Sequence, residues 1–416
     1  MRLELSSPVR RRAFFAGCAL LIISAWALCC QSVVAHWLAA AGTPEGLRRA
    51  ARMQPLNADY EQTLGTLYMD PGFANFDLAR VHFERAAAIN RHASSIWLGL
   101  AGAYEVAGDT KHRGEAIRNA VVSEPKDTQV QWQAANFFLD SDPDRTLHLL
   151  RGVVENDPNY TLPAFALALH ATNNDTDRAI QAVPATTSVR LELMRWLLGR
   201  NDTAAADKVW PTLLSASGSL RVNDTFVYLD SLIARHRVPQ AQAAWSAMVN
   251  RDPLLRRAIQ PGNLVFNGDF EENLLNGGFA WRYVPTSGVT ASLDTSTIHS
   301  GTRSMALQID ANDLLDSGLS QLVVVEPNTR YTASAWLHAE ELEAAHGIRV
   351  AVADAYTGAE LMATEEMLGS FPWREVNGDF ETKPDTQLVK FEIVRSPSNG
   401  RIRGRVWIDE IKMEKR

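Results

Sequence analysis

An uncharged run near the N-terminus constrains this chain more than any other feature. Arg10, Arg11 and Arg12 are followed by eighteen residues, Ala13 to Cys30, without a charge, and only Gln31, Ser32 and His36 add strong polarity before Glu45. A bilayer core of roughly 30 Å needs about 20 mainly apolar helical residues, and the stretch from Ala13 to Leu38 supplies them. The arginines are expected to stay cytoplasmic, which sends everything after residue 40 across the membrane. Trp37 falls where an interfacial aromatic would sit. Ala39-Ala40-Ala41 resembles a small-residue cleavage site, so the segment reads either as a retained single-pass anchor or as a removed signal peptide with secretion of the rest. Its length favours the anchor.

The remainder must fold as more than one domain, because 416 residues exceed one ordinary core. Charge is unevenly spread: from Gly262 to the end there are 14 Lys+Arg against 23 Asp+Glu, while the whole chain carries -7. No stretch has the basic density of a phosphate-tracking surface, which argues against nucleic acid. The three cysteines, Cys18, Cys29 and Cys30, all lie in the N-terminal run, so the folded domains have neither a disulfide framework nor a thiolate metal site. No phosphate-binding loop, dinucleotide fingerprint, zinc-protease or nucleophile-elbow motif occurs. The ten histidines form no ligand spacing. The expectation is a protein that is not an enzyme and uses no cofactor.

Residues 45–258 are rich in Ala and Leu at helical spacing, punctuated by Asp-Pro, Gly-Asp and Asn-Asp. Trp97-x-x-Leu100-Ala101-x-x-Tyr104, Gly108-Asp109, Ala120 and Pro125 form one unit. Leu64-Gly65-x-x-Tyr68, Ala79, Phe83 and Ala86 form the unit before it, and Ala86 and Ala120 stand 34 positions apart. A shortened third unit runs through Phe138, Leu150, Val153 and Pro158; Ala206, Trp210 and Leu213 recur as Ala241, Trp245 and Met248. These patterns resemble the tetratricopeptide repeat, which implies an α-solenoid of helix pairs. The resemblance further implies protein or peptide binding on the first helix of each pair, here Asp59, Gln62, Thr66 and Met69, then Ser95, Leu98, Gly102 and Glu105. The Lys and Asn with which some family members clamp a carboxylate are missing at these positions.

Composition changes at Pro261-Gly262. Alternation replaces the helical period in Ile348, Val350 and Val352, in Val389, Phe391 and Ile393, and in Val406 and Ile408, between turn signals such as Asn267-Gly268 and Pro327-Asn328. An antiparallel β-sandwich over 262–416 follows. The segments Asn263–Glu272, His299–Leu307, Pro327–Trp336 and Val406–Ile411 resemble, in order and spacing, a carbohydrate-binding module of the family 4/9, galactose-binding-like jelly-roll type. If Tyr331, Ala333, Ala335 and Leu337 face the core, Trp336 points outward with Ser334 and His338. By the same alternation Arg349, Lys390, Glu392 and Trp407 are expected to share that outward face, a candidate glycan patch; the bland reading makes one Trp core and the charges a solvated face. Trp281 and Tyr283 read as packing or loop anchors. The resemblance also implies a structural calcium, for which Asp269, Glu271 and Asp409 are placed; they read equally as turn and edge-strand carboxylates.

The expected chain is multidomain, α then β: a basic cytoplasmic N-terminus (1–12), a transmembrane signal anchor (13–38), tetratricopeptide-like repeats (45–258) and a jelly-roll sandwich (262–416). The expected role is a non-catalytic scaffold of the cytoplasmic membrane, its bulk periplasmic, with protein partners on the repeats and a polysaccharide on the sandwich. The combination resembles exported bacterial proteins of envelope polysaccharide assembly or export. A sandwich that only docks protein, and a cryptic glycan-processing enzyme with two facing carboxylates, are the competing expectations.

Overall fold

The structure, a computed structural model, describes residues 8–416; Arg2 and the other residues before Pro8 lie outside it. The chain divides into two compact units, one running to Leu193 and including Asp207–Ser217, the other comprising Met194–Ala206 and Gly218–Arg416.

In the first unit α1 (Pro8–Ala40) is a single helix, and its stretch Phe14–Ala40 is long and apolar enough to cross a membrane. Among its described side chains as far as Cys30, all but Cys18 are exposed. From Gln31 onward it packs against α2 (Pro44–Met53). A tight turn joins the two, with Gly42 at φ 64° and the Thr43 hydroxyl accepting from Gly46 N–H at 3.1 Å. Ala35 and Leu47 are buried, the Gln31 amide donates to the Met53 carbonyl, and a Cβ on Gly46 would come within 2.4 Å of the Leu38 carbonyl oxygen. The helix that meets the criteria for a span therefore also forms the outer member of the first helical hairpin.

Helix pairs follow: α3 (Ala58–Met69) with α4 (Phe76–Ile89), α5 (Ser94–Val106) with α6 (Thr110–Ser123), and α7 (Thr128–Phe138) with α8 (Pro143–Asn156). Short polar side chains start most of them; Asn75, Asp109, Asp127 and Asp142 each accept a first-turn N–H. Phe83 explains the small residues of the repeat. A Cβ on Gly65 would sit 2.9 Å from its ring and one on Gly99 2.4 Å away, so these two positions open the slot into which Phe83 inserts. The pattern decays through α9 (Thr161–Ala171), the single turn α10 (Thr176–Ala179), α11 (Thr187–Gly199) and α12 (Thr203–Leu214). The least regular stretch is the single turn α10 with the 3-10 turn Ile180–Ala182 after it.

The second unit holds α13 (Phe226–Ala234), α14 (Val238–Arg251), α15 (Pro253–Arg257) and two antiparallel sheets. Its strands are β1 (Arg282–Tyr283), β2 (Val289–Asp294), β3 (Ser304–Asn312), β4 (Asp316–Val324), β5 (Arg330–Ala344), β6 (Ile348–Asp354), β7 (Glu360–Ala363), β8 (Gly369–Glu381), β9 (Leu388–Arg395) and β10 (Arg401–Lys415). The first sheet has the order β1-β4-β9-β6-β7 and the second β2-β3-β10-β5-β8. Leu307, Leu337, Val352, Phe391 and Ile408 belong to the apolar core. The opening segment is tied to β10: Leu264 N–H donates to the Met413 carbonyl at 2.9 Å, and Ile411 N–H to the Gly268 carbonyl at 2.8 Å. Trp281 is buried against Phe270 and Phe391 and donates to the Asn267 carbonyl at 3.0 Å, the packing role expected of it.

The last helix ends at Arg257, just before Pro261-Gly262, and the first strand starts at Arg282, yet the compact unit reaches further back. Trp245 of α14 lies 5.2 Å from Phe266 and 6.2 Å from Phe279, and Asp230 of α13 holds Arg282 at 2.6 Å. The last helix pair buries its aromatic face on the sandwich.

Candidate functional site

On β5 the alternation runs as expected. Tyr331, Ala333, Ala335, Leu337 and Ala339 are buried, while Thr332, Ser334, Trp336, His338 and Glu340 point outward and are half-buried. Register then assembles a surface on the outside of the second sheet. β10 sets Trp407 opposite His338 and Asp409 opposite Trp336, so these four share one face.

His299, from the β2–β3 loop, completes the surface. The Asp409 carboxylate accepts the backbone N–H groups of His299 at 3.1 Å and Ser300 at 3.0 Å, and so pins the loop over the sheet. The imidazole stacks on Trp336 with centroids 3.9 Å apart and planes 16° from parallel. Trp373 of β8 lies 5.5 Å from His299 and 5.7 Å from His338, and His338 lies 5.1 Å from Trp407. Five rings thus form one continuous surface: Trp336, His299, Trp373, His338 and Trp407. Trp407 is its floor, only 3% exposed, with the Arg405 guanidinium 5.4 Å over its ring and its indole N–H donating to Asp294 at 2.6 Å.

The two carboxyl groups beneath and beside the rings, Asp294 and Asp409, are shifted in opposite directions. Hydrogen bonds from the Ser296 hydroxyl and the Trp407 indole hold Asp294 at about 2. Burial pushes the Asp409 carboxyl up despite its backbone N–H donors. Glu340 binds Arg405 at 2.9 Å. The Nδ1 atoms of His299 and His338 are buried, that of His299 lying 3.5 Å from the Glu410 carboxylate. Half-exposed indole faces, flanked by charged groups, suit a ligand with an apolar face and hydroxyl edges.

The expected patch is corrected in one respect. Trp336 and Trp407 share a face, but Arg349 of β6 and Lys390 and Glu392 of β9 belong to the first sheet. Alternation states which side of its own strand a residue occupies; the two sheets of a sandwich turn their outer sides in opposite directions. Lys390 and Glu392 pair with each other at 2.5 Å. His299 and Trp373 were not among the candidates. Pro372 hides the strand character of its neighbours, and β8 tolerates it because it is an edge strand. His299 is brought in by a loop, which periodicity does not describe.

The three carboxylates considered for calcium do not converge on a common centre. Among the described residues no group of three or more His, Cys, Asp or Glu is arranged to hold a metal ion. Asp409 is occupied with loop N–H groups, and Glu271 accepts from Thr302 N–H at 2.6 Å, the Thr302 hydroxyl at 2.5 Å and Arg303 N–H at 3.1 Å. Burial pushes Glu271 up, but these donors outweigh it and its carboxyl titrates below the usual range. Asp269 accepts from the Gln260 amide at 2.7 Å. The set does not fit a calcium shell, which needs several convergent oxygens.

In the helical array the candidate residues of successive first helices meet. The Gln62 amide donates to the Ser95 hydroxyl at 3.0 Å, and the Met69 methyl lies 3.8 Å from where a Cβ on Gly102 would be. Asp59, Thr66, Ser95 and Glu105 are exposed, Leu98 half-buried, and Glu105 is tied to Arg113 at 2.9 Å. A face therefore continues from α3 to α5.

The sequence profile of the carbohydrate binding domain of families 4 and 9 matches residues 262–399. Among solved structures the chain is similar to a family 4 carbohydrate-binding module, at 15% identity and TM-score 0.28, over 36% of this chain and 99% of that one. It is similar to the CBM22-1 xylan-binding domain from Paenibacillus barcinonensis, at 15% identity and TM-score 0.27, over 38% and 97%. It is also similar to YrrB, a tetratricopeptide repeat protein with an unusual peptide-binding site, at 18% identity and TM-score 0.30, over 36% and 84%. No match is found among curated proteins.

Proposed function

We propose that this chain is a non-catalytic scaffold anchored in the cytoplasmic membrane, whose sandwich binds glycan on the outer face of its second sheet while the helical array docks protein partners. The five-ring surface around Trp336 carries the glycan reading. Each half-exposed indole offers a flat apolar plane to the C–H face of a sugar ring, and the charged rim supplies partners for hydroxyls. The profile match to a carbohydrate binding domain spans β5, β8 and His299. A role in assembly or export of an envelope polysaccharide is the setting in which an anchor, a docking array and a glycan module serve one task.

A retained anchor is favoured over a removed leader by the packing of α1 on α2. Leu47, Ala50 and Ala51 form the buried face of α2, and loss of α1 would bare part of it to water at a cost of about 25 cal/mol for each Å² exposed. In this reading the N-terminus is cytoplasmic and the chain after residue 40 lies outside. A reporter fused after Arg416 is then active only outside the cytoplasm; activity inside overturns the orientation.

The glycan reading is tested on a glycan array with the full chain in detergent. Binding to a polysaccharide class that falls about tenfold or more in Trp336→Ala and Trp373→Ala, as expected for a lost stacking platform, supports it. No saccharide binding by the intact chain, or binding indifferent to both substitutions, sinks it.

A further inference from the structure

We propose that one edge of the helical array, made by the α2–α3 corner (Met53 to Asn57) and the α4–α5 corner (Ile89 to Arg91), lies directly on the phospholipid headgroups where α1 leaves the membrane, and prefers anionic lipid. The inference rests on the anchor reading above and adds the depth and the face at which the array meets the bilayer.

Depth comes from the α1–α2 hairpin. The Gln31 amide reaches the Met53 carbonyl and Gly46 sits under the Leu38 carbonyl, so α2 runs back alongside the last ten residues of α1. Arg48, Arg49 and Arg52 of α2 are consequently level with Gln31 to Leu38. Charged side chains at that level do not belong in hydrocarbon. The membrane-embedded part of α1 ends near Cys30, where its all-round exposure ends. Ala13 to Cys30 at 1.5 Å per residue spans about 27 Å, enough for a thin or slightly compressed bilayer core. The expected span of 13–38 is thereby shortened at its far end.

The same geometry selects the edge. A single hollow is lined by Leu28, Cys29 and Gln31 of α1, by Pro55 and Leu56 of the α2–α3 corner, and by Ile89 of α4, so both corners share the level at which α1 enters lipid. Leu56 is 87% exposed at the tip of its corner, an apolar side chain placed for insertion among headgroups. Beside it Arg48, Arg52 and Arg85 line the groove between α2 and α4, and Arg91 is exposed on the next corner. Arg80, Arg113, Arg151 and Arg178 in the array each have a carboxylate partner. Among the described residues Arg52, Arg85 and Arg91 have none. Asp59, in the first turn of α3, is the acidic side chain at this edge, and Glu61 is engaged by His82 at 2.7 Å. Three unneutralised guanidinium groups beside an exposed leucine at the exit of a spanning helix match a surface of lipid phosphates.

The test places a photoreactive benzoylphenylalanine at position 22, 56 or 73 of the full chain in lipid nanodiscs, with or without phosphatidylglycerol in phosphatidylcholine. Position 73 lies on the α3–α4 turn, at the opposite end of the hairpin from Leu56. Lipid adducts are expected at 22 and 56 and not at 73. Combining R52E, R85E and R91E lowers the adduct yield at 56 by about fivefold or more in phosphatidylglycerol discs and leaves it unchanged in phosphatidylcholine alone. Adducts at 22 without adducts at 56 overturn the proposal and leave the anchor standing. Adducts at neither position overturn both, and a triple variant that matches the parent in both lipids overturns the anionic preference.

Discussion

The two sheets of the sandwich share one core but turn very different outer sides to their surroundings. On the first sheet Ala351 and Ala353 point away from the core and are still only 2% and 7% exposed. Helices of the same unit reach it: Asp230 binds Arg282, the Ile233 carbonyl accepts the Tyr356 hydroxyl at 2.8 Å, and His236 stacks on Tyr356 at 3.7 Å. On the second sheet the outer side carries Trp336, Trp373, His299 and His338, which stay half-exposed over the buried Trp407. Small residues mark the covered part of the first sheet's outer side, beside half-buried Arg349, Lys390 and Glu392, whereas large amphipathic rings line that of the second.

A single matched pair of substitutions breaks or upholds that contrast. Ala351→Lys buries a charge on the covered side and costs about 3 kcal/mol or more. Ala306→Lys, at the half-buried alanine opposite Trp407 on the other sheet, leaves its ammonium free to reach solvent and stays within about 1 kcal/mol. Hydrogen exchange of the β6 and β3 amides measures both, and equal costs would erase the distinction. Next in size is the binding contrast: Arg349→Ala and Lys390→Ala leave saccharide affinity within about twofold, while Trp336→Ala lowers it about tenfold. Reversal of that order would move the site to the first sheet.

The smallest effects are those of pH, and they have opposite signs. Asp294 is held at about 2, below its value in the unfolded chain, so its stabilisation is complete above the ordinary aspartate range. It is lost as pH falls toward 2. Asp409 is raised by burial, so the folded state holds its proton longer, and stability declines as pH rises from the unfolded value through the folded one. Comparing melting temperatures of the parent with Asp294→Asn and with Asp409→Asn across the acid range checks both. The difference between parent and Asp294→Asn narrows on acidification. Asp409→Asn loses the decline on the way up. Parallel curves for all three proteins would show that neither carboxylate is linked to folding.

Much of this architecture is legible in the amino-acid sequence. Period 3.6 and a 34-residue recurrence marked the helix pairs, since Gly65, Phe83 and Ala86 are repeat positions for a packing reason: the ring needs the missing side chains. Alternation on β5 assigned Trp336 and His338 to the outside correctly. What alternation lacks is the identity of the sheet. That depends on which strands pair across dozens of residues, as when β10 inserts between β3 and β5, and no local pattern around Arg349 or Lys390 encodes it. His299 was hidden for a related reason. Its position is set by Asp409, 110 residues later, through backbone N–H groups that carry no residue-type signature.

The α1–α2 hairpin has a mechanical consequence. A helix joined to a folded domain by a flexible linker restrains only distance, leaving the domain free to swivel. Here no linker intervenes, because Ala35 and Leu38 are already part of the packing against α2. Turning α1 about its axis, or tipping it, carries α2 and α3 round with it. Whatever grips α1 therefore sets the heading of the array's first helices, so the helix works as an axle.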